Sequence, residues 1–113
     1  MAYIDNYKMA VDINVTNTRD EWTLPFGDLI HHISGNVICG GRHHYFAVDT
    51  TEKGTPFGIN GGKIFRYRIT YNNGANTLIE RKMDGTKTYS MARTEKNKAI
   101  TEAILNALKE MFN

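Results

Sequence analysis

Three arginines with hydroxyl neighbours are the residues whose types and spacing suggest chemistry: Arg66, Arg68 and Arg81, with Thr88 and Ser90, in the stretch KIFRYRITYNNGANTLIERKMDGTKTYSMA of residues 63–92. The planar guanidinium fork suits phosphate and carboxylate oxygens, and flanking hydroxyls can complete an anion's shell. Asn73-Gly74 and Asp84-Gly85 divide the stretch and supply the positive φ of two-residue type I′ hairpins, which predicts a three-stranded meander. Two-residue turns place Arg66 opposite Arg81, Arg68 opposite Ile79, Thr70 opposite Thr77, and Arg81 opposite Thr88. One face then carries Ile64, Arg66, Arg68, Thr70, Ile79, Arg81, Thr88 and Ser90. The other carries Phe65, Tyr67, Ile69, Tyr71, Leu78, Tyr89 and Met91, an apolar surface for a helix to cover. Like charges directly opposite in a sheet repel, so the basic face suggests a place for an anion such as a phosphate-bearing small molecule. The alternative is that these guanidinium groups only solvate an exposed face. A three-residue bulged loop at either turn would flip one strand's faces.

Other candidate groups are more scattered. His31-His32 and His43-His44 are adjacent pairs, and neighbours on a strand point to opposite faces, so at most one of each pair can serve a common site. Without Cys-x-x-Cys or His-Glu-x-x-His, no metal site is expected. His32-Ile33-Ser34 matches half of a two-histidine phosphoesterase pattern whose second copy is missing. Ser34 and Ser90 lack a nucleophile-elbow context, and Asp49 and Glu52 are too isolated for an acid/base pair. Cys39, the single cysteine, lies in an apolar run and reads as a buried small hydrophobe. Residues 50–62, TTEKGTPFGINGG, form a glycine-rich loop whose backbone is either structural or an anion nest; Phe57 and Asn60 join the ligand-binding candidates here. Trp22 and Phe26 are apolar groups in NTRDEWTLPFG that must lid the core or meet a partner.

The elements that must position these residues are those of a single α+β domain. A strand is predicted over 8–16, where Met9, Val11, Ile13 and Val15 alternate with polar residues, followed by a loop over 17–27. Asp28 caps a short helical turn through Leu29, Ile30 and Ile33. The sheet proper spans 36–92, with a hairpin at Gly40-Gly41. Thr94 caps a helix over 95–111 whose stripe is Ala99, Ile100, Ala103, Ile104, Ala107, Leu108 and Met111. The expected architecture is a mostly antiparallel five- or six-stranded β-meander with the C-terminal helix packed on one face.

At 113 residues the chain is long enough to bury one core without disulfides or metal. A net charge of +2 falls far short of a dedicated duplex-binding protein, so any anion site is local. A single cysteine, no leader pattern and no apolar run approaching 18 residues lead us to expect a cytoplasmic protein with no membrane partner.

Tyr45-Phe46-Ala47-Val48-Asp49 followed by Gly54-Thr55-Pro56-Phe57-Gly58-Ile59-Asn60-Gly61-Gly62-Lys63-Ile64 resembles a family of short uncharacterised phage and Firmicutes proteins with an FGI-x-GG-(K/R)-I core, over residues 35–92. That family carries no known activity. The resemblance implies a setting, that of a phage protein in the host cytoplasm counteracting host defence, and by analogy with β-rich shells that sequester cyclic nucleotides, a homo-oligomer. Three functions compete. The first is a non-catalytic, cofactor-free binder of an anionic nucleotide, with Arg66, Arg68 and Arg81 on phosphate and aromatic groups on the base. The second is an inhibitor that binds a host defence protein, such as a CRISPR nuclease effector, through the arginine face and the Trp22 segment. The third is a small hydrolase using His43 or His44. Binding is favoured over catalysis because no catalytic motif is complete.

Overall fold

The computed structural model describes residues 10–23, 28–71, 77–82, 85–89 and 95–113. Six strands follow one another as an antiparallel meander in the order of the chain: β1 (Val11–Thr23), β2 (Asp28–Cys39), β3 (Arg42–Thr51), β4 (Ile64–Thr70), β5 (Thr77–Arg81) and β6 (Lys87–Tyr89). One helix, α1 (Glu95–Phe112), packs across the sheet. The α+β meander with a C-terminal helix expected from the sequence is the fold observed.

α1 covers only one face. Its Ile100, Ile104, Leu105 and Leu108 pack with Val37, Cys39, Phe46, Val48, Tyr67, Ile69 and Ile79 in the core. Burying each large side chain contributes about 1.5–3 kcal/mol, so this face holds the domain together. Met111, expected in the stripe, is 55% exposed, and Leu105 takes a buried place instead. At the C-terminal end Phe112 packs on the core beside Phe46, and Met111 is turned outward. Cys39 is buried in this core, and burial pushes its thiol up from the ordinary range.

Strand boundaries differ from the sequence reading chiefly at the N-terminal side. Residues 17–23 are strand rather than loop, and Leu29, Ile30 and Ile33 lie on β2 rather than in a helical turn. The register explains why these polar residues are extended: β1 pairs with β2 from Val11↔Cys39 to Thr23↔Asp28, with a bulge between Val15 and Asn17. Thr16 is the extra residue, and past it the parity of β1 inverts. Val11 and Ile13 pack against the core, whereas Arg19 and Glu21 reach the opposite, open face. Gly35 faces the distorted backbone; a Cβ there would lie 2.0 Å from the Asn14 carbonyl oxygen. β2 and β3 turn through Gly40 (φ 59°) and Gly41 (φ 78°), a two-residue loop of the predicted kind.

Two further irregularities revise the register of the meander. Thr70 does face Thr77, as two-residue counting expects, but the next pairs are Ile69↔Ile79, Arg68↔Glu80 and Tyr67↔Arg81. Leu78 is a bulge residue, so both Leu78 and Ile79 are buried and everything beyond them changes face. Arg66 therefore does not face Arg81. On the β5–β6 side the chain crosses between Lys82 and Thr86 with Gly85 at φ 88°, and Gly85 N–H donates to the Lys82 carbonyl at 2.9 Å. That gives Ile79↔Tyr89, Glu80↔Thr88 and Arg81↔Lys87, so Thr88 faces Glu80 rather than Arg81. Between β3 and β4 the register shifts again, from Asp49↔Arg66 to Thr50↔Ile64, which takes Ile64 into the core instead of onto the free face. Thr70 is likewise buried. Ser90, Met91, Phe26 and Thr94 lie outside the described residues.

The glycine loop is a packed structure. A Cβ at Gly58 would lie 1.9 Å from the Gly62 oxygen, and one at Gly54 would lie 2.4 Å from the Gly61 oxygen. The loop docks on the end of α1 through Asn113, whose Oδ1 accepts from Ile64 N–H at 2.9 Å and whose Nδ2 donates to the Ile59 carbonyl at 3.3 Å.

His44 is the one histidine sealed in the core. Its Nδ1–H donates to the Thr70 carbonyl at 3.1 Å, and Nε2 has no partner among the described residues. Burial holds its pKa below the ordinary value of 6.5, the Thr70 bond opposes this, and Arg42 and His43 add smaller depressions. The neutral ring is the native form, so the contribution of His44 is fully present above about pH 6.5 and is lost as pH falls toward the depressed native value. Urea unfolding at pH 7.5 and 5.5 should show lower stability at the acid value, and a smaller difference in His44→Phe. In the same assay at pH 7.5, Gly35→Ala should cost about 1–3 kcal/mol, the range for forcing atoms into a closed space.

Candidate functional site

The open face carries one continuous row of charge. Arg19 on β1, His32 on β2, Asp49 on β3 and Arg66 on β4 are successive register partners across four strands. His32 sits between carboxylates: Nδ1 is 2.7 Å from Asp49 Oδ1 and Nε2 is 2.8 Å from Glu21 Oε1. Both contacts are hydrogen bonds only when both ring nitrogens carry protons. Arg66 Nε lies 3.5 Å from the other Asp49 oxygen, and Arg19 Nη1 lies 3.8 Å from Glu21. The row is possible only because Thr16 bulges; in regular pairing Arg19 and Glu21 would point to the helix side.

The adjacent row is Asn17, Ser34, Ala47, Arg68, Glu80 and Thr88. Ser34 and Ala47 are short, so the centre of the face is a trough between larger side chains. It forms a groove of about 580 Å³, bounded by Arg19, His32, Asp49, Arg66, Arg68 and Glu80. That volume lies within the usual range of small-molecule sites, about 300–1,000 Å³. Arg68 Nε donates to Thr77 Oγ1 at 2.9 Å. Both Arg66 and Arg68 are thus anchored through Nε, and their terminal nitrogens have no partner among the described residues.

The structure divides the residues that the sequence grouped together. Arg66 and Arg68 share the groove, while Arg81 is on the helix side because of the bulge at Leu78. Arg81 Nη1 donates to the carbonyls of Phe65 at 2.7 Å and Phe57 at 3.2 Å. It lines a separate cavity of about 180 Å³ with Asn60, whose φ is 52°. Phe57 is half exposed beside that cavity's arginine and contributes no ring to the groove. The amides of Gly58, Gly61 and Gly62 donate to Thr55, Gly58 and Ile59 carbonyls, so these groups serve the loop and not an anion. Trp22 is 73% exposed on edge strand β1.

Sequence reasoning passed over Arg19 and Glu21, and it considered His32, Asp49 and Glu80 without placing them in a site. Alternation across β2 and β3 does place His32, Ser34, Ala47 and Asp49 on one face, but a bulge inside β1 leaves no local signal. His31 has a similar arrangement on the other face, 2.7 Å from Asp20 and 3.7 Å from Glu52. His43 is exposed and stands edge-on to Tyr45. Among the described residues no three His, Cys, Asp or Glu side chains are placed to hold a metal ion. No helix among them is long and apolar enough to cross a membrane. Comparison with protein families, with curated proteins and with solved structures returns no match, so the geometry of the groove carries the functional argument.

The His32–Asp49 contact is half-shielded from water and links β2 to β3 at the centre of the groove. A double-mutant cycle with His32→Ala and Asp49→Ala, read by urea unfolding, should give a favourable coupling of about 0.5–3 kcal/mol; additivity would show that the pair is not coupled.

Proposed function

We propose that the open-face groove binds an anionic, phosphate-bearing ligand of nucleotide size and does not transform it. The observation that carries this reading is the pair Arg66 and Arg68, each tethered at Nε with its terminal nitrogens facing no protein partner among the described residues. Pre-positioned guanidinium groups lose little freedom on binding, and phosphate is the group their fork fits best. Glu80, opposite Arg68 in the register, offers an acceptor for the amino group of a base. Catalysis has less support from the geometry. Both nitrogens of His32 contact carboxylates, and a general base needs a free one. In the setting implied by the resemblance to phage proteins, such binding amounts to sequestration of a host signalling nucleotide.

Trp22 supports a second reading, a surface for a protein partner, since an exposed tryptophan on an edge strand is the kind of residue that anchors interfaces. Thermal unfolding against a panel of linear and cyclic nucleotides separates the two. The groove reading expects one nucleotide to stabilise the protein by about 2.7 kcal/mol at 100 times its dissociation constant. Arg66→Gln with Arg68→Gln should abolish the shift, and denaturation should release the ligand unchanged. A panel without any shift, or a shift that survives both substitutions, would refute it.

A further inference from the structure

The small cavity on the helix side has a chemistry of its own. Arg81 and Lys87 are direct partners across β5 and β6, and Lys109 from the last turn of α1 joins them around the same 180 Å³ space. Like charges facing each other in a sheet destabilise it, and here a third cation is added. No carboxylate lines the cavity among the described residues; its remaining polar side chains are those of Asn60 and Tyr67. Neither Lys87 nor Lys109 is in an ion pair among the described residues, so the repulsion has no internal remedy there.

Arg81 is also held in place. Its Nη1 is fixed by the Phe57 and Phe65 carbonyls, and Nη2 lies 3.8 Å from the position a Cβ would take on Gly85, a residue of the cavity wall. A guanidinium spent on two carbonyls at one nitrogen still presents donors at another. The cavity is below the usual range for small-molecule sites and has room for about six waters at 30 Å³ each. That space accommodates a tetrahedral oxyanion and is too small to enclose a whole nucleotide.

We propose that the cavity formed by Arg81, Lys87, Lys109 and Asn60 is a site for one small oxyanion of the phosphate type, distinct from the open-face groove. The bound anion adds a link among three segments, the glycine loop, the β5–β6 strand pair and the end of α1, that Arg81 and Asn113 already tie in part. Tyr67 lines both spaces, but the cavity's three cations are none of the groove's charged residues, so the two proposals stand or fall separately.

The test is thermal unfolding of the full chain in inorganic phosphate against chloride at constant ionic strength. A saturable rise in melting temperature is expected for the wild-type chain and for Arg66→Gln/Arg68→Gln. In Lys87→Gln/Lys109→Gln the affinity for phosphate should fall about tenfold or more for each charge-assisted hydrogen bond removed. This variant should melt no lower than wild type in chloride, because the substitutions relieve repulsion. Amide chemical shifts supply the location: phosphate should move Gly85 and Asn60 and saturate with the melting curve. No saturable rise, an equal rise in the lysine variant, or shifts centred on Ser34 and Ala47 would each overturn the proposal.

Discussion

A single helix lies against a six-stranded sheet, and this arrangement divides the buried strand residues from the open ones. Side chains alternate across a strand, so each position of regular pairing falls either on the side that α1 packs against or on the open face. Beneath α1, Phe46, Val48, Ile69 and Ile79 meet Ile100, Ile104 and Leu108 and exclude water. On the open face nothing covers Arg19, His32, Asp49, Arg66 and Arg68, and their polarity is what permits an uncovered sheet. The groove is therefore the second consequence of the same packing that makes the core.

Bulges decide which residues obtain which fate. One extra residue inverts parity for the rest of a strand, a change far larger than its own local distortion. At Thr16 the inversion brings Arg19 and Glu21 beside His32 and creates a network from the edge strand to β4. At Leu78 it removes Arg81 from the company of Arg66 and Arg68 and faces it with Lys87 beneath the sheet. Charge repulsion across a strand pair, expected between Arg66 and Arg81, is found instead between Arg81 and Lys87. The same physical motif has moved to the other side of the molecule.

The glycine loop connects these two sides. Gly54 and Gly58 bring backbone against backbone, Gly62 leaves room for the Asn113 side chain, and Asn113 ties the loop to α1 and to the first residue of β4. The loop thereby fixes the carbonyls of Phe57 and Phe65 that hold Arg81. Its glycine content reflects close approach, and its direct contribution to a ligand site is limited to the wall that Ile59 and Asn60 provide.

Several features were legible in the sequence because they depend on local preferences. The Gly40-Gly41 hairpin follows from positive φ, the C-terminal helix from its apolar stripe, and the burial of Cys39 from its apolar neighbours. β3 follows regular alternation, with Phe46 and Val48 buried and Ala47 exposed. Turn chemistry also predicted the Thr70–Thr77 pair at the mouth of the β4–β5 connection. What only the tertiary structure decided was the register beyond the bulges at Thr16 and Leu78, and with it the composition of both candidate sites. A bulge is chosen by what the flanking residues gain from packing on α1 and on neighbouring strands. Leu78 and Ile79 can both be buried only if the strand yields one residue, and that balance is struck between segments far apart in the chain.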